Sequence, residues 1–333
     1  MLRWIGAALA ALLAAAPFMT QVMTQPAYAQ ADGNWPSKPV RVIVPFPAGS
    51  SSDAVARVIA DRLGPHLGQQ VVVDNRPGAS GNIGADALVR SEPDGYTFGL
   101  FSASTATVAP HLNANLSYDP LKDIKPVGMI GGAPYIVVVY PGLGVKSLKE
   151  FVELAKAKPG KISYGSAGVA SLAFLATSHF ESVTGIEMTH VPYKSASQTV
   201  PDMVSGRLES QFATVAVSLP SIQSGKLRAL AVTGKERLAL LPDVPTVAEA
   251  GVPGYDAELW FSFAMPVGAP DVAVKRLNEA LNTVLRSKEG REALEKLGLT
   301  PQPGPPEAVT EQIAREHKRW GEVAERAGIK KSK

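Results

Sequence analysis

The stretch PFPAGSSSDAVARVIADRLG, residues 45–64, sets two prolines, a glycine and three consecutive serines after an apolar run, Val40–Val44. Ser50, Ser51 and Ser52 supply hydroxyl donors without charge. Asp53, three residues after Ser50, gives the spacing of a capping box, so a helix is expected to start inside the serine run. The first turn of a helix carries unpaired N–H groups at the positive end of its dipole, an arrangement that suits an anion. Gly49 allows close approach of backbone to ligand. The chemistry on offer is recognition of an anion by neutral dipoles; plain capping within a tight strand-to-helix loop is the simpler use of the same residues and stays open at this point. Three other strand tips have the same character. NRPGASGN leads into a second helix at Asn82, and FSAST carries Ser102, Ser104 and Thr105. YGSAGVAS carries Ser166, Ala167, Gly168, Val169, Ala170 and Ser171. Open α/β sheets bind ligands outside the carboxyl ends of their strands, so loops of this kind on two units favour a small anion held in a shared cleft.

Motifs for other chemistry are missing. No phosphate loop, no G-x-S-x-G elbow and no H-E-x-x-H occurs, and GASGNIG departs from the dinucleotide fingerprint. The five histidines (66, 111, 179, 190 and 317) have no metal-ligand spacing, and His179 and His190 read as structural. With no cysteine in 333 residues, disulfide and thiol chemistry are excluded. A net charge of +3, from 33 basic and 30 acidic residues, leaves no footprint for nucleic acid. No cofactor or metal is expected.

The elements that must position these loops alternate. Val55, Val58, Ile59 and Leu63 form a helical stripe after the Val40–Val44 strand, with Gly64–Pro65 as its expected end. Val71–Val73, a helix over GNIGADALVR and a strand over Tyr96–Phe101 follow, the rhythm of a parallel sheet with covering helices. The rhythm resumes with strands at 135–140, 162–164, 208–213 and 227–233 and helices at 147–158, 171–183 and 199–205. A late strand at Leu259–Met265 precedes a mostly helical tail. The N-terminus carries Arg3 as its only charge, an apolar run from Ile5 to Phe18 and an A-x-A site at Ala27–Ala29. That is the pattern of a secretory signal peptide over 1–29, its apolar core shorter than the ~20 residues of a membrane span. The expected organisation is one discontinuous α/β domain, 30–132 with 261–333, and a second over 133–260.

WPSKPVRVIVPFPAGSSSDAVARVIADRL, VVVDNRPGASGNIGADALVRSEPDGYT, VPYKSASQTVPDMVSGRLE and GKLRALAVTGKERLALLPDVPTVAEAG resemble, in order, segments of the Bug (TctC-like) family of periplasmic solute-binding proteins. The resemblance runs from about Trp35 to Ile329. It implies a type II periplasmic binding fold, two α/β domains with a ligand cleft between them. It also implies periplasmic capture of a mono- or dicarboxylate, aliphatic or aromatic, for a tripartite tricarboxylate-type transporter by a monomeric protein without catalysis. Carboxylates in that family sit on two strand-to-helix loops, partly through water; the matching positions are Pro47, Ala48, Gly49 and Ser50–Ser52, and Ser166–Ser171. Phe46 would wall the cleft or pack in the core. Departures fall at Gly49–Ser50, at Pro192–Ser195 and at Ser205–Glu209, and Lys194 is a candidate partner for a second carboxylate or a solvated charge. A secreted hydrolase using the same cleft, or a sensor presenting its ligand to a receptor, are the alternatives.

Overall fold

The computed structural model describes residues 35–331, so the expected signal peptide lies outside the described residues. In chain order the elements are β1 (Val40–Val44), α1 (Ser51–Leu67), β2 (Val71–Asn75), α2 (Asn82–Val89), β3 (Thr97–Ser102), α3 (Ala109–Leu112) and β4 (Ile124–Val139). There follow α4 (Leu148–Ala157), β5 (Ser163–Ser166), α5 (Leu172–Thr184), β6 (Thr189–Pro192), α6 (Thr199–Val204), β7 (Ser210–Thr214), α7 (Val215–Gln223) and β8 (Arg228–Val232). The chain closes with β9 (Glu258–Pro266), α8 (Asp271–Arg286), α9 (Lys288–Glu295), β10 (Thr300–Pro301) and α10 (Glu307–Arg326).

All strands among the described residues belong to one sheet ordered β2-β1-β3-β9-β4-β7-β5-β6, with β8 and β10 also paired to β4. At one end β1 lies parallel to β2 and β3. At the other, β5 lies parallel to β6 and β7. Each parallel set places its strand ends and following helix starts on one side, as the strand-helix rhythm requires. Two antiparallel strands join the sets. β4 pairs with β9 from Ile124 to Pro134 and then with β7 from Tyr135 to Val139. The first half of β4, IKPVGMIGGAP, is studded with proline and glycine and was not legible as strand. Its register slips between Pro126 and Gly128 and again between Met129 and Gly131, bulges that absorb those residues. Gly131 is required there: a Cβ would lie 2.4 Å from the Thr300 carbonyl oxygen of β10. Gly131–Pro134, near which the boundary between the two domains is expected, lie inside this continuous strand.

Two elements differ from expectation. α1 does not stop at Gly64–Pro65; it continues to Leu67 and ends at Gly68, left-handed at φ 71°, whose N–H bonds the Gly64 carbonyl at 2.9 Å. Proline forgoes one amide bond near a helix end, and burial of Leu67 holds the last turn. α7, with Pro220 inside a β-branched segment, carries too weak a pattern to be read as a helix. The tail helices are expected to pack on the first unit. α8 does pack on α1 and β4, but α10 touches β4 and α5 as well, so the last helix contacts both ends of the sheet. His111 Nε2 lies 2.8 Å from the His317 carbonyl, and Arg319 binds Asp256 at 2.9 Å, which fixes α10 in place.

Behind the first loop, α2 crosses β1 where Gly84 has no side chain. A Cβ there would sit 2.5 Å from Pro45 Cα and 2.8 Å from the Arg76 carbonyl. Overpacking against backbone costs about 1–3 kcal/mol, while Gly→Ala in a helix gains about 0.8–1.0 kcal/mol. Gly84→Ala is expected to lower stability on balance, read as a lower denaturation midpoint in urea with an unchanged slope.

Candidate functional site

The loop from β1 to α1 is wired by reciprocal bonds. Ser50 Oγ accepts from the Asp53 amide at 3.3 Å, and the Asp53 carboxylate accepts from the Gly49 amide at 3.0 Å. The Ser50 half of the expected capping box is present, but Asp53 closes one residue further back, on Gly49, because the Ser50 amide bonds the Pro47 carbonyl. Arg57 Nε and Asn75 Nδ2 each donate to Asp53 at 3.0 Å, and Asn75 Nδ2 also donates to the Phe46 carbonyl. Burial pushes the Asp53 carboxyl up, but its bonds from Arg57, Gly49 and Asn75 outweigh burial and hold it below the usual carboxylate range. Asp53 and Arg57 thereby neutralise each other. With the Asp53 amide capped, the amides of Ser51 and Ser52 remain without intrahelical acceptors.

The loop from β5 to α5 is held differently. Ser171 Oγ accepts from the Phe174 amide at 3.2 Å and donates to the Gly168 carbonyl at 2.7 Å. Ser104, in a π-helical turn over Ser104–Val108 after β3, accepts from the Leu172 amide at 3.0 Å. One amide of the first turn of α5, that of Ala173, is left over. That bond joins the two ends of the sheet across the gap between them. The β5–α5 loop also meets the β2–α2 connection at Gly168 (φ 102°), where a Cβ would fall 2.5 Å from Ser80 Oγ, so glycine eases the approach.

Between the β1–α1 and β5–α5 loops lies a small cavity of about 40 Å³, partly open to solvent. From the first end of the sheet it is lined by Phe46, Ser50, Ser51, Ser52, Ser102 and Ser104. From the second come Ala167, Ser171, Ala173, Ser195, Ala196 and Thr214, and the joining strands contribute Tyr135 and Leu259. Not one of these carries a formal charge. Three helices, α1, α5 and α7, begin on this lining, so their positive dipole ends share one small volume. Two lining hydroxyls, Ser102 Oγ (residue 1 % exposed) and Thr214 Oγ1 (8 %), are buried without a hydrogen-bond partner. A buried, unsatisfied hydroxyl costs about 1–3 kcal/mol, and two of them on one cavity mark a place built for a polar guest.

The other residues anticipated for the site stand outside this lining. Pro47 accepts the Ser50 amide through its carbonyl, and Ala48 and Gly49 are exposed on the loop. Asn82 Oδ1 accepts from Tyr118 Oη at 3.0 Å, and Thr105 Oγ1 accepts from the Ser102 amide at 3.1 Å. These two form a layer behind Ser102. Val169 is exposed, Ala170 is buried, and Gly168 and Ser166 shape the β5–α5 loop from within. Lys194 is exposed, its amide bonded to Gln198. Sequence reading missed Tyr135, Ala173, Ser195, Ala196, Thr214 and Leu259. Thr214 alone left a signal, a hydroxyl at the end of an expected strand.

His190, read from the sequence as structural, sits beside a serine of the β5–α5 loop. His190 Nε2 lies 2.7 Å from Ser166 Oγ, because β5 and β6 are paired with Tyr164 opposite His190. Burial drives this imidazole down to about 4, so it is neutral near pH 7. Its ring packs against Tyr164 and Phe174, and no hydrogen bond joins it to a carboxylate among the described residues. Ser166 Oγ in turn accepts from the Gly168 amide and donates to its carbonyl. The pair orders the loop that presents α5. Among the described residues no His/Cys/Asp/Glu group could hold a metal, and no helix is long and apolar enough to cross a membrane.

The family model described as Tripartite tricarboxylate transporter family receptor (TctC) matches residues 55–329. Protein BugT of Bordetella pertussis is 38% identical over 298 residues, 89% of this chain and 91% of that protein. Among solved structures, R. palustris Rpa4515 with adipate is 36% identical at a TM-score of 0.87, covering 90% of this chain and 100% of that one. MatC from Rhodopseudomonas palustris with bound malate is 28% identical at 0.82, covering 87% and 99%.

Asp53 fixes the first loop in its ionised form, so its contribution has a defined pH dependence. A carboxyl held below its unfolded value stabilises fully above that value, about 3.9, and the contribution is lost as pH falls through the folded-state value. Asp53→Asn is expected to lose about 1.5–3 kcal/mol near pH 7, the worth of hydrogen bonds to a charged group. The gap in melting temperature to the parent should narrow progressively below about pH 4. A gap that stays constant from pH 3 to pH 7, as read by thermal unfolding, would contradict the ionised clamp.

Proposed function

This chain belongs to the tripartite tricarboxylate transporter receptor (TctC) family of solute-binding proteins, and from that premise we propose that its cavity captures a small organic acid in the periplasm for a membrane transporter. The observation that carries the reading is a cavity with three helix starts and two unpartnered hydroxyls, lined by no formal charge. A carboxylate would accept from the Ser51, Ser52 and Ala173 amides and from the lining hydroxyls, as charge-assisted bonds. Fixed dipoles can bind an anion without the desolvation cost of a buried cation. The adipate of Rpa4515 and the malate of MatC support the ligand class.

Residues 35–132 with 261–331, and residues 133–260, act as two lobes, with β4 and β9 as the strands between them. A ligand touching α1 and α5 together would favour the closed arrangement, a hinge motion. The transporter would then read the closed form of a monomer. Export rests on the N-terminal pattern, with the mature chain starting near Gln30. Catalysis is no part of this reading: Ser166 lies outside the cavity lining and its histidine lacks a carboxylate to orient it.

Titration calorimetry and thermal shift against a panel of aliphatic and aromatic mono- and dicarboxylates are expected to give at least one binder. Saturation at about a hundred times Kd should stabilise the protein by about 2.7 kcal/mol through linkage. Ser52→Ala should weaken that binder by about 1–2 kcal/mol, or roughly 5- to 30-fold. If no acid in the panel shifts the melting temperature, the carboxylate reading fails.

A further inference from the structure

Among the described residues, Ala79 and Ser80 alone have positive φ without being glycine, at 47° and 56°. They sit in the β2–α2 connection between Gly78 (φ 137°) and Gly81 (φ 97°). Left-handed backbone is costly for a residue with a Cβ and persists only where the surroundings impose it. Here they do. A Cβ on Gly81 would fall 2.9 Å from Thr105 Cγ2 and 3.0 Å from Phe46 Cζ, so the turn is pressed against a wall of the cavity. The Gly81 amide closes it on the Gly78 carbonyl at 2.9 Å. The turn cannot retreat toward β1 and β3. Across the gap it meets Gly168, where a Cβ would lie 2.5 Å from Ser80 Oγ. Gly168 is fixed as well: its amide donates to Ser166 Oγ at 3.2 Å and its carbonyl accepts from Ser171 Oγ at 2.7 Å.

Two rigid backbones, one from each end of the sheet, thus meet at the Ser80 hydroxyl. The same gap is crossed by the bond from the Leu172 amide to Ser104 Oγ, 3.0 Å long. A bond that pulls and a contact that does not yield fix one separation, and the cavity left at that separation is about 40 Å³. We propose that Ser80 is the stop that sets how far the two ends of the sheet close, and that it thereby determines the size of acid the cavity accepts. Packed groups resist compression steeply, so the stop rather than the ligand sets the gap. An acid too short to reach the starts of α1 and α5 together forfeits the bonds on one side. One too bulky forces the contact apart and stretches the Ser104–Leu172 bond beyond its working length. This inference rests on the carboxylate reading of the cavity and on its hinge closure.

The test measures affinities by calorimetry on the full mature chain for two series of increasing length: butyrate, valerate and hexanoate, and succinate, glutarate and adipate. Ser80→Gly removes the stop and suits left-handed backbone. It is expected to shift the short-to-long affinity ratio toward the shorter acids by roughly tenfold, the worth of one methylene in a fitted pocket. Ser80→Asn is larger yet tolerates the left-handed region, and should shift the ratio the other way. The chain has no cysteine, so spin labels on Asp61→Cys in α1 and Lys149→Cys in α4, both exposed, report the separation of the two ends. In saturating acid that distance should be longer in Ser80→Asn than in the parent, a change that a merely structural role would not produce. A ratio that stays put in both variants, or moves the same way in both, overturns the stop and leaves the carboxylate reading standing. So does an unchanged label distance in Ser80→Asn. Ser80→Gly only removes atoms, so it carries the test if the asparagine variant fails to fold. If no acid binds the parent, the carboxylate reading falls and the stop's role in ligand size falls with it.

Discussion

A helix start can hold an anion only if its amides stay unpaired and their positions are fixed before the anion arrives. The loop ahead of α1 meets both demands. Asp53, fully buried and held ionised, gathers the Gly49 amide, Arg57 and Asn75 to itself, and Asn75 in turn ties down the Phe46 carbonyl. The charge of Arg57 is spent on Asp53 rather than presented to the cavity. What remains free is two amides and two serine hydroxyls, donors without a net charge of their own. Hydrogen bonds formed to pre-set donors lose little conformational entropy, which is where preorganised sites gain affinity.

The same constraint governs the other side of the cavity. There the loop before α5 is held by Ser166, packed against His190, and by Ser171, bonded to Gly168. Ser104 reaches from the first end of the sheet to the Leu172 amide and occupies one of the three first-turn donors of α5. Glycine at 168 permits this loop and the β2–α2 connection to come within contact distance. The Ser166–His190 contact has the distance of a nucleophile and its base, but a neutral, aromatic-packed imidazole without a carboxylate behind it has the chemistry of a brace.

Much of this was legible beforehand, and the reason is local. Ser50 with Asp53 announces a capped helix because the Ser50 hydroxyl and the Asp53 amide it caps lie within one turn. Strand β1 reads directly from VRVIV, and α5 from its serine cap and its closing Gly185. The misreadings have equally local causes. β4 hides behind Pro126, Gly128, Gly131 and Pro134, which mark turns in isolation but are tolerated here as bulges and as room for β10. Gly64–Pro65 imitates a helix stop because both residues are breakers, while the turn beyond them is held by burial of Leu67.

By itself the sequence determined the α/β rhythm, the hydroxyl-rich strand tips, the absence of thiol chemistry and the family resemblance, because each is written in neighbouring residues or in ordered motifs. Tertiary structure alone decided which hydroxyls share one cavity. Ser102 and Thr214 lie 112 positions apart, at the tips of β3 and β7, and nothing in either segment says that β9 and β4 will bring them to a common lining. His190 meets Ser166 only because β6 takes its place beside β5. Pairing between strands distant in sequence is set by the total burial of the sheet, a sum over the whole chain that no short segment contains.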